Sequence, residues 1–219
     1  MTLALYGHPF SSYTQKVLIA LYENNTPFVF HNIAPDAPEN VAQWLRRWPI
    51  GKFPLLLDGD HSVVETSIII EYLQLEHAGP VRLLPDDARQ ALDVRFMDRC
   101  FDLHVMSPVQ HAVAAALSGD PRKAEEGRAH ARDKLALAYA WLETRLPQTQ
   151  WACGDRFSMA DCAAAPALFY ADWTHPINST HPRLRDYRAR LLQRPSFARA
   201  VAEARPYRPL FPLGAPDRD

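Results

Sequence analysis

The chain has 219 residues, of which 47% are hydrophobic and 22% charged, a balance that is typical of a globular protein. Its 24 basic and 25 acidic side chains nearly cancel, and no segment gathers enough lysine and arginine to attract a polyphosphate backbone, so we expect no nucleic-acid partner. The N-terminus lacks a signal-peptide pattern and no run of about 18 apolar residues occurs, so we expect no membrane association and a cytoplasmic location.

The first eighty residues carry the pattern of a small α/β domain. In the predicted helix near the N-terminus, Val17, Leu18 and Leu21 share one face. Alternating apolar residues and an Asp-Gly-Asp turn predict strands and a hairpin further on. The predicted order is strand 2–6, helix 12–24, strand 28–33, helix 42–47, hairpin strands 54–57 and 62–64, and helix 66–77.

An all-helical domain is predicted behind it. Gly79 and Pro80 end the first domain, because no helix continues through that pair, and residues 81–86 form a linker. Beyond the linker every long segment has helical periodicity, with helices predicted at 88–118, 121–146, 159–173, 182–193 and 196–203. The tail 205–219 is rich in proline, so we expect it to pack in extended form. The predicted domains are therefore 1–80 and 87–219.

Three motifs carry a family resemblance. They are Gly51-Lys52-Phe53-Pro54-Leu55, Val64-Glu65-Thr66-Ser67-Ile68-Ile69 and Phe157-Ser158-Met159-Ala160-Asp161. Together with the order of elements, they make the chain similar to the cytosolic glutathione transferase family over essentially its whole length. The resemblance implies an α/β plus all-α fold, with a thioredoxin-like domain followed by a helical bundle. It also implies glutathione as co-substrate, and a homodimer in which the first domain of one subunit packs on the helical domain of the other.

The same resemblance implies a glutathione site made by Lys52, Phe53, Pro54, Glu65 and Thr66. In the family a cis proline stands at Pro54, the backbone of Phe53 pairs with the cysteinyl part of glutathione, and Lys52 reaches the glycyl carboxylate. Thr66 would bind the γ-glutamyl carboxylate at a helix start, where unpaired N–H groups favour an anion, and Glu65 would meet the ammonium group. From the residues alone, a trans proline, a helix cap and a solvated lysine stay open.

A hydroxyl near the first helix is the candidate for activating the glutathione thiol, which is only about three per cent ionised near pH 7. When the residues are counted back from the apolar face of that helix, Ser11 matches the position at which serine-type members of the family carry their hydroxyl. The local pattern of this chain is most similar to that of the zeta-like members. Ser12 is an alternative that would share the role. Tyr6, at the end of the first strand, is the competing donor of tyrosine-type members. From the residues alone, Ser11 is equally a helix N-cap.

The second substrate is expected to be a small apolar electrophile. The residues predicted to line its pocket are Phe10, Phe101, His104, Val105, Pro108 and Trp173. From the residues alone, Phe101 is equally a core side chain, and Asp98, Arg99 and Asp102 are candidates for ion pairs between the domains. Two other functions stay open: a glutathione-dependent disulfide or peroxide reductase, and a non-catalytic glutathione-binding stress protein.

No metal or prosthetic group is indicated by the sequence. Cys100, Cys153 and Cys162 form no CxxC pair and do not cluster with histidines at ligand spacing. Ser158 and Asp161 predict a capping box at a helix start, and we assign that pair to structure rather than chemistry.

Overall fold

The structure, a computed structural model, describes residues 2–219. Its first domain is a four-stranded mixed sheet in the order β2-β1-β3-β4, in which β2 runs parallel to β1 and the other pairings are antiparallel. The elements are β1 (Leu3–Gly7), α1 (Ser12–Glu23), β2 (Phe28–Asn32), α2 (Pro38–Arg47), β3 (Leu55–Asp58), β4 (His61–Val64) and α3 (Thr66–Glu76). The predicted order of elements and the thioredoxin-like arrangement are confirmed.

The alternation of side chains along β1 separates the helices onto two faces of the sheet. Leu3 and Leu5 pack with apolar residues of α1 and α3. Tyr6 lies on the opposite face, in a cluster with Trp44 of α2. The first turns of α1 and α3 therefore belong to one side of the sheet, and α2 covers the other.

The second domain is built from helices joined by loops. Its elements are α4 (Ala88–Cys100), a π-helical segment (Phe101–Met106), α5 (Ser107–Leu117), α6 (Pro121–Arg145), α7 (Met159–Thr174), α8 (Pro182–Gln193), α9 (Pro195–Ala204) and a 3₁₀ helix (Arg205–Leu210). The helix predicted at 88–118 is thus continuous over residues 88–117, which we call the long helix, but it passes through a π-helical turn. The expectation of a wholly extended tail is wrong at its start, where Pro206 sits in the first turn of the 3₁₀ helix and needs no N–H partner.

Apolar and charged contacts join the two domains. Ile19 and Ala20 of α1 are buried in the same core as α7 and the long helix. At the far end of α1, Arg194 donates two hydrogen bonds to Glu23, at 2.8 and 2.5 Å. No helix of the described chain is long and apolar enough to cross a membrane.

The start of α7 is held by a buried carboxylate. Asp161 Oδ2 accepts from the amide and the hydroxyl of Ser158, both at 2.9 Å. Its Oδ1 accepts from the amide of Ala152 at 2.9 Å and from the hydroxyl of Tyr187 at 2.6 Å. The predicted structural role of this pair is confirmed, and the carboxylate binds two donors that the local motif did not include.

Candidate active site

The start of α1 presents two serine side chains to a cavity of about 410 Å³. Ser11 is the N-cap, and its Oγ accepts the Thr14 amide at 3.3 Å. Since that bond uses a lone pair, the hydroxyl hydrogen remains free to donate. Ser12 is buried, and its Oγ has no hydrogen-bond partner among residues 2–219. Both serine candidates therefore line the same cavity.

Tyr6 lies away from this cavity. Its ring is stacked on His31, with 4.4 Å between ring centroids, and packs beside Trp44 and Leu55. The side chain follows Leu5, which faces α1, so the strand alternation turns Tyr6 toward α2. Tyr6 therefore does not line this cavity, whereas Ser11 and Ser12 do.

A second cavity of about 340 Å³ brings together the five residues predicted to bind glutathione. Lys52, Phe53, Pro54, Glu65 and Thr66 all line it. The Phe53–Pro54 peptide bond is cis, as the resemblance implied. Tyr13, Lys52, Phe53 and Gln110 line both cavities. The two cavities are therefore neighbouring parts of one cleft.

The junction between β4 and α3 lies at this second cavity, which Glu65 and Thr66 line. Glu65 has φ 66° and ψ 117°, a left-handed conformation that is uncommon for a residue with a side chain. No side chain of the described chain caps this helix start, in contrast to α1, where Ser11 does so. Thr66 follows as the first helical residue and is buried. An anion is favoured at such a helix start.

A cluster of charged side chains joins α1 and α3 to the long helix. Lys16, only 1% exposed, pairs with Asp98 at 2.6 Å and with Asp102 at 2.8 Å. Ser67 donates to Asp98 at 2.6 Å, and Arg99 pairs with both aspartates. These are the interdomain ion pairs that the sequence left open. Arg99 and Asp102 also line the second cavity, where burial raises the pKa of Asp102 and Lys16 opposes that rise.

Aromatic and aliphatic side chains form the wall of the first cavity. Phe10 lines it, and its ring centroid lies 5.4 Å from that of Tyr170. The Tyr170 hydroxyl donates to the Phe10 carbonyl at 2.9 Å and accepts from Gln15 at 3.1 Å, which holds the loop in place. The other apolar lining residues are Met106, Val109, Val113, Leu117, Leu210, Phe211 and Pro212.

Five of the six residues predicted for the second-substrate pocket lie elsewhere. Phe101 and Val105 are buried in the core, where this part of the helix packs against α7. His104 and Pro108 line a separate cavity of about 750 Å³ between the long helix and α6. Trp173 packs behind Phe10, with 6.4 Å between ring centroids.

The phase of the long helix explains why these side chains lie outside the cleft. The side of this helix that faces α7 carries Phe101 and Val105, so the adjacent side faces the cleft. That face carries Asp102, Met106, Val109, Gln110 and Val113. The π-helical turn over Phe101–Met106 also interrupts the 3.6-residue period of this helix.

The tail closes one side of the first cavity through two contacts. Phe211 lines the cavity, and the Tyr207 ring meets the His8 ring edge-on, with 4.6 Å between centroids. His8 Nδ1 accepts the Phe10 amide at 3.2 Å. Burial lowers the pKa of His8, so its imidazole is neutral near pH 7.

Within residues 2–219 no group of three or more His, Cys, Asp or Glu side chains is placed to hold a metal.

Comparison with known proteins matches both halves of the chain. The family model "Glutathione S-transferase, N-terminal domain" matches residues 1–74, and "Glutathione S-transferase, C-terminal domain" matches residues 125–190. Glutathione S-transferase 3 of Zea mays is 30% identical over 212 residues, covering 91% of this chain and 93% of that protein. A probable maleylacetoacetate isomerase of Vibrio cholerae is 29% identical, covering 94% of this chain and 98% of that protein.

A solved structure agrees with these sequence matches. The glutathione S-transferase of Methylobacterium radiotolerans, crystallised in complex with glutathione sulfonate, superposes with a TM-score of 0.74. It is 30% identical to this chain, and the match covers 92% of this chain and 95% of that one.

Proposed function

The chain belongs to the glutathione S-transferase family, and from this premise we propose that it joins the thiol of glutathione to a small apolar electrophile. One observation carries the proposal. The Ser11 hydroxyl lines a cavity that continues into the one lined by all five candidate glutathione-binding residues. The names of the relatives and the glutathione sulfonate bound by a structural neighbour support it.

The second cavity holds glutathione by its two charged ends. The Thr66 hydroxyl and the first amides of α3 bind the γ-glutamyl carboxylate, since both are donors at the positive end of a helix. Glu65 is acidic and exposed, which suits the ammonium group. Lys52 takes the glycyl carboxylate, and the Phe53 backbone binds the cysteinyl part. Trp44 Nε1 donates to the Lys52 carbonyl at 2.9 Å and so positions this loop.

Ser11 lowers the pKa of the bound thiol. Its free hydroxyl hydrogen donates to the sulfur anion, and the partial positive charge at the start of α1 acts in the same direction. A shift of about two pKa units needs about 2.7 kcal/mol of preferential stabilisation of the anion. The thiolate then attacks the electrophile and forms the sulfur–carbon bond, while the leaving group departs with its electron pair or the adduct takes up a proton.

The wall of the first cavity favours an uncharged electrophile. Its lining is mostly aromatic and aliphatic, and its basic side chains are Lys52, assigned to glutathione, and His8, whose pKa burial lowers. A reductase that formed a mixed disulfide with the protein would need a cysteine in the cleft. Cys100, Cys153 and Cys162 lie outside both cavities, so conjugation is the better supported reaction.

A homodimer and a cytoplasmic location are part of the proposal. Ile50 of the first domain is 66% exposed, and Phe96, Leu103 and Trp141 of the second domain present apolar surface around the 750 Å³ cavity. Packing one domain on the other between subunits would bury these side chains, over more than about 1,000 Å² in total. Sedimentation equilibrium would show twice the mass of one chain.

Replacing Thr66 with valine tests the glutathione site. The change keeps the branched shape and removes the hydroxyl, so we expect KM for glutathione to rise about tenfold, which equals about 1.4 kcal/mol. The matched control is Thr144→Val on the exposed surface of α6, which should leave KM unchanged. An unchanged KM in Thr66→Val would contradict the assignment of Thr66 to the γ-glutamyl carboxylate.

A further inference from the structure

Three arginines converge on a cavity of about 370 Å³ that is separate from the cleft. We call Arg185, Arg188, Arg218 and the one acid among them, Asp172, the arginine cluster. Arg185 and Arg188 are three positions apart on α8 and so share a face, while Arg218 comes from the tail and Asp172 from the end of α7. The remaining lining residues are Pro176, Ile177 and Ala189. The proposed glutathione chemistry uses none of these groups.

The single carboxylate of the cluster is already bound. Asp172 Oδ1 accepts the Ile177 amide at 2.7 Å, and Oδ2 accepts from Arg218 Nη1. Arg218 Nη2 also donates to the Asp172 backbone carbonyl at 3.1 Å. The side chains that line the cavity therefore comprise three guanidinium groups and one carboxylate, which gives the lining a net charge of +2.

Arg188 is mostly buried, and its guanidinium group is only partly paired. Its side chain is 12% exposed, and its Nη2 lies 3.3 Å from Asp172 Oδ2. Neither Nε nor Nη2 has a hydrogen-bond partner in the part of the chain that the structure describes. A guanidinium has five N–H donors, and burying such a charge is costly unless acceptors surround it. Burial accordingly lowers the pKa of Arg188.

Asp219 is a further acid near Arg188, and its carboxylate is shared with two other arginines. Asp219 pairs with Arg205 and, at 3.3 Å, with Arg208. Arg185 is exposed and forms no ion pair within residues 2–219. The cavity therefore presents cationic donors from two separate segments of the chain, and it offers room for a ligand at the small end of the usual range for such sites.

We propose that the arginine cluster is an anion-binding site for a phosphate group, either inorganic phosphate or the phosphate of a small phosphomonoester. A phosphate dianion matches the two net positive charges, and its oxygens accept the paired N–H donors of guanidinium groups. The ligand would bind across α7, α8 and the tail, apart from the glutathione cavity.

Calorimetry on the full-length protein tests this proposal, with inorganic phosphate and ribose 5-phosphate as probes and no glutathione present. We expect saturable binding of one probe per chain with Kd near or below about 1 mM. Arg185→Gln should raise the Kd about tenfold, which corresponds to the loss of one charge-assisted contact. Arg183→Gln, an exposed residue of the same helix outside the cavity, is the matched control and should bind as the parent does.

The two probes distinguish the source of the phosphate. Tighter binding of ribose 5-phosphate supports a phosphomonoester ligand, and tighter binding of inorganic phosphate supports the free ion. No saturable heat with either probe, or equal weakening in Arg183→Gln and Arg185→Gln, overturns the proposal. Glutathione titrated into Arg185→Gln should bind as it does to the parent, which separates this result from the fate of the proposed transferase function.

Discussion

Replacing Asp161 with asparagine tests how the start of α7 is stabilised. The carboxylate is completely buried and accepts four hydrogen bonds, two at each oxygen. Asparagine keeps the shape of the side chain, but one of its two terminal groups is an NH₂ that donates and cannot accept. Whichever way the amide turns, two of the four donors lose their acceptor.

The size of the effect follows from those two donors. Leaving a buried donor without an acceptor costs about 1–3 kcal/mol, so the free energy of unfolding should fall by about 4 kcal/mol. This is a large part of the roughly 5–15 kcal/mol that a typical domain has. Tyr187→Phe removes one of the donors and leaves the carboxylate with three, so it should cost less, about 1–2 kcal/mol.

Urea unfolding followed by circular dichroism measures the change. Asp155→Asn is the matched control, because Asp155 is exposed in the turn that precedes α7, and it should stay within about 0.5 kcal/mol of the parent. Folded Asp161→Asn should bind glutathione as the parent does, since the carboxylate lies outside the cleft. A loss below about 0.5 kcal/mol in Asp161→Asn would refute the hydrogen-bond reasoning.

Two further predictions concern buried titratable groups. Lys16→Met removes the buried cation that Asp98 and Asp102 share and leaves them only the partly exposed Arg99, so the free energy of unfolding in urea should fall by about 3–5 kcal/mol. The exposed Lys123→Met should match the parent, and equal stability of the two variants would contradict the buried ion pairs. Burial raises the pKa of Cys153 to about 12, so near pH 8 about one Cys153 thiol in ten thousand is ionised. Mass spectrometry should therefore show that iodoacetamide alkylates Cys153 slowly in the native protein. An alkylation rate equal to that of the unfolded chain would contradict the raised pKa.

The elements could be predicted from the sequence because the local signals agree with one another. Apolar periodicity indicates α1, and prolines fall where helices stop, as Pro80 does after α3. The capping pair at Ser158 and Asp161 follows from spacing alone. The resemblance, rather than the spacing, identified Lys52 to Thr66 as residues of one site.

The directions of side chains depend on contacts between distant segments, so local patterns did not predict them. Tyr6 points to α2 because of the register of β1 in the sheet, and Phe101 faces α7 because of how the long helix packs. The sequence gives one indication of the role of Lys16, a lysine within an apolar helix, but its carboxylate partners lie more than eighty residues along the chain. Arg188 of α8 and Arg218 likewise come together only because the folded chain places the tail beside α8.

The pKa of the glutathione thiol in the bound state tests most directly whether Ser11 stabilises the sulfur anion. We expect the thiolate absorbance of the complex to titrate near pH 6.5 in the parent, about two units below the free thiol. In Ser11→Ala the pKa should rise by at least about one unit, which equals about 1.4 kcal/mol, while Ser12→Ala should stay close to the parent. An unchanged pKa in Ser11→Ala, or a rise confined to Ser12→Ala, would contradict the assignment.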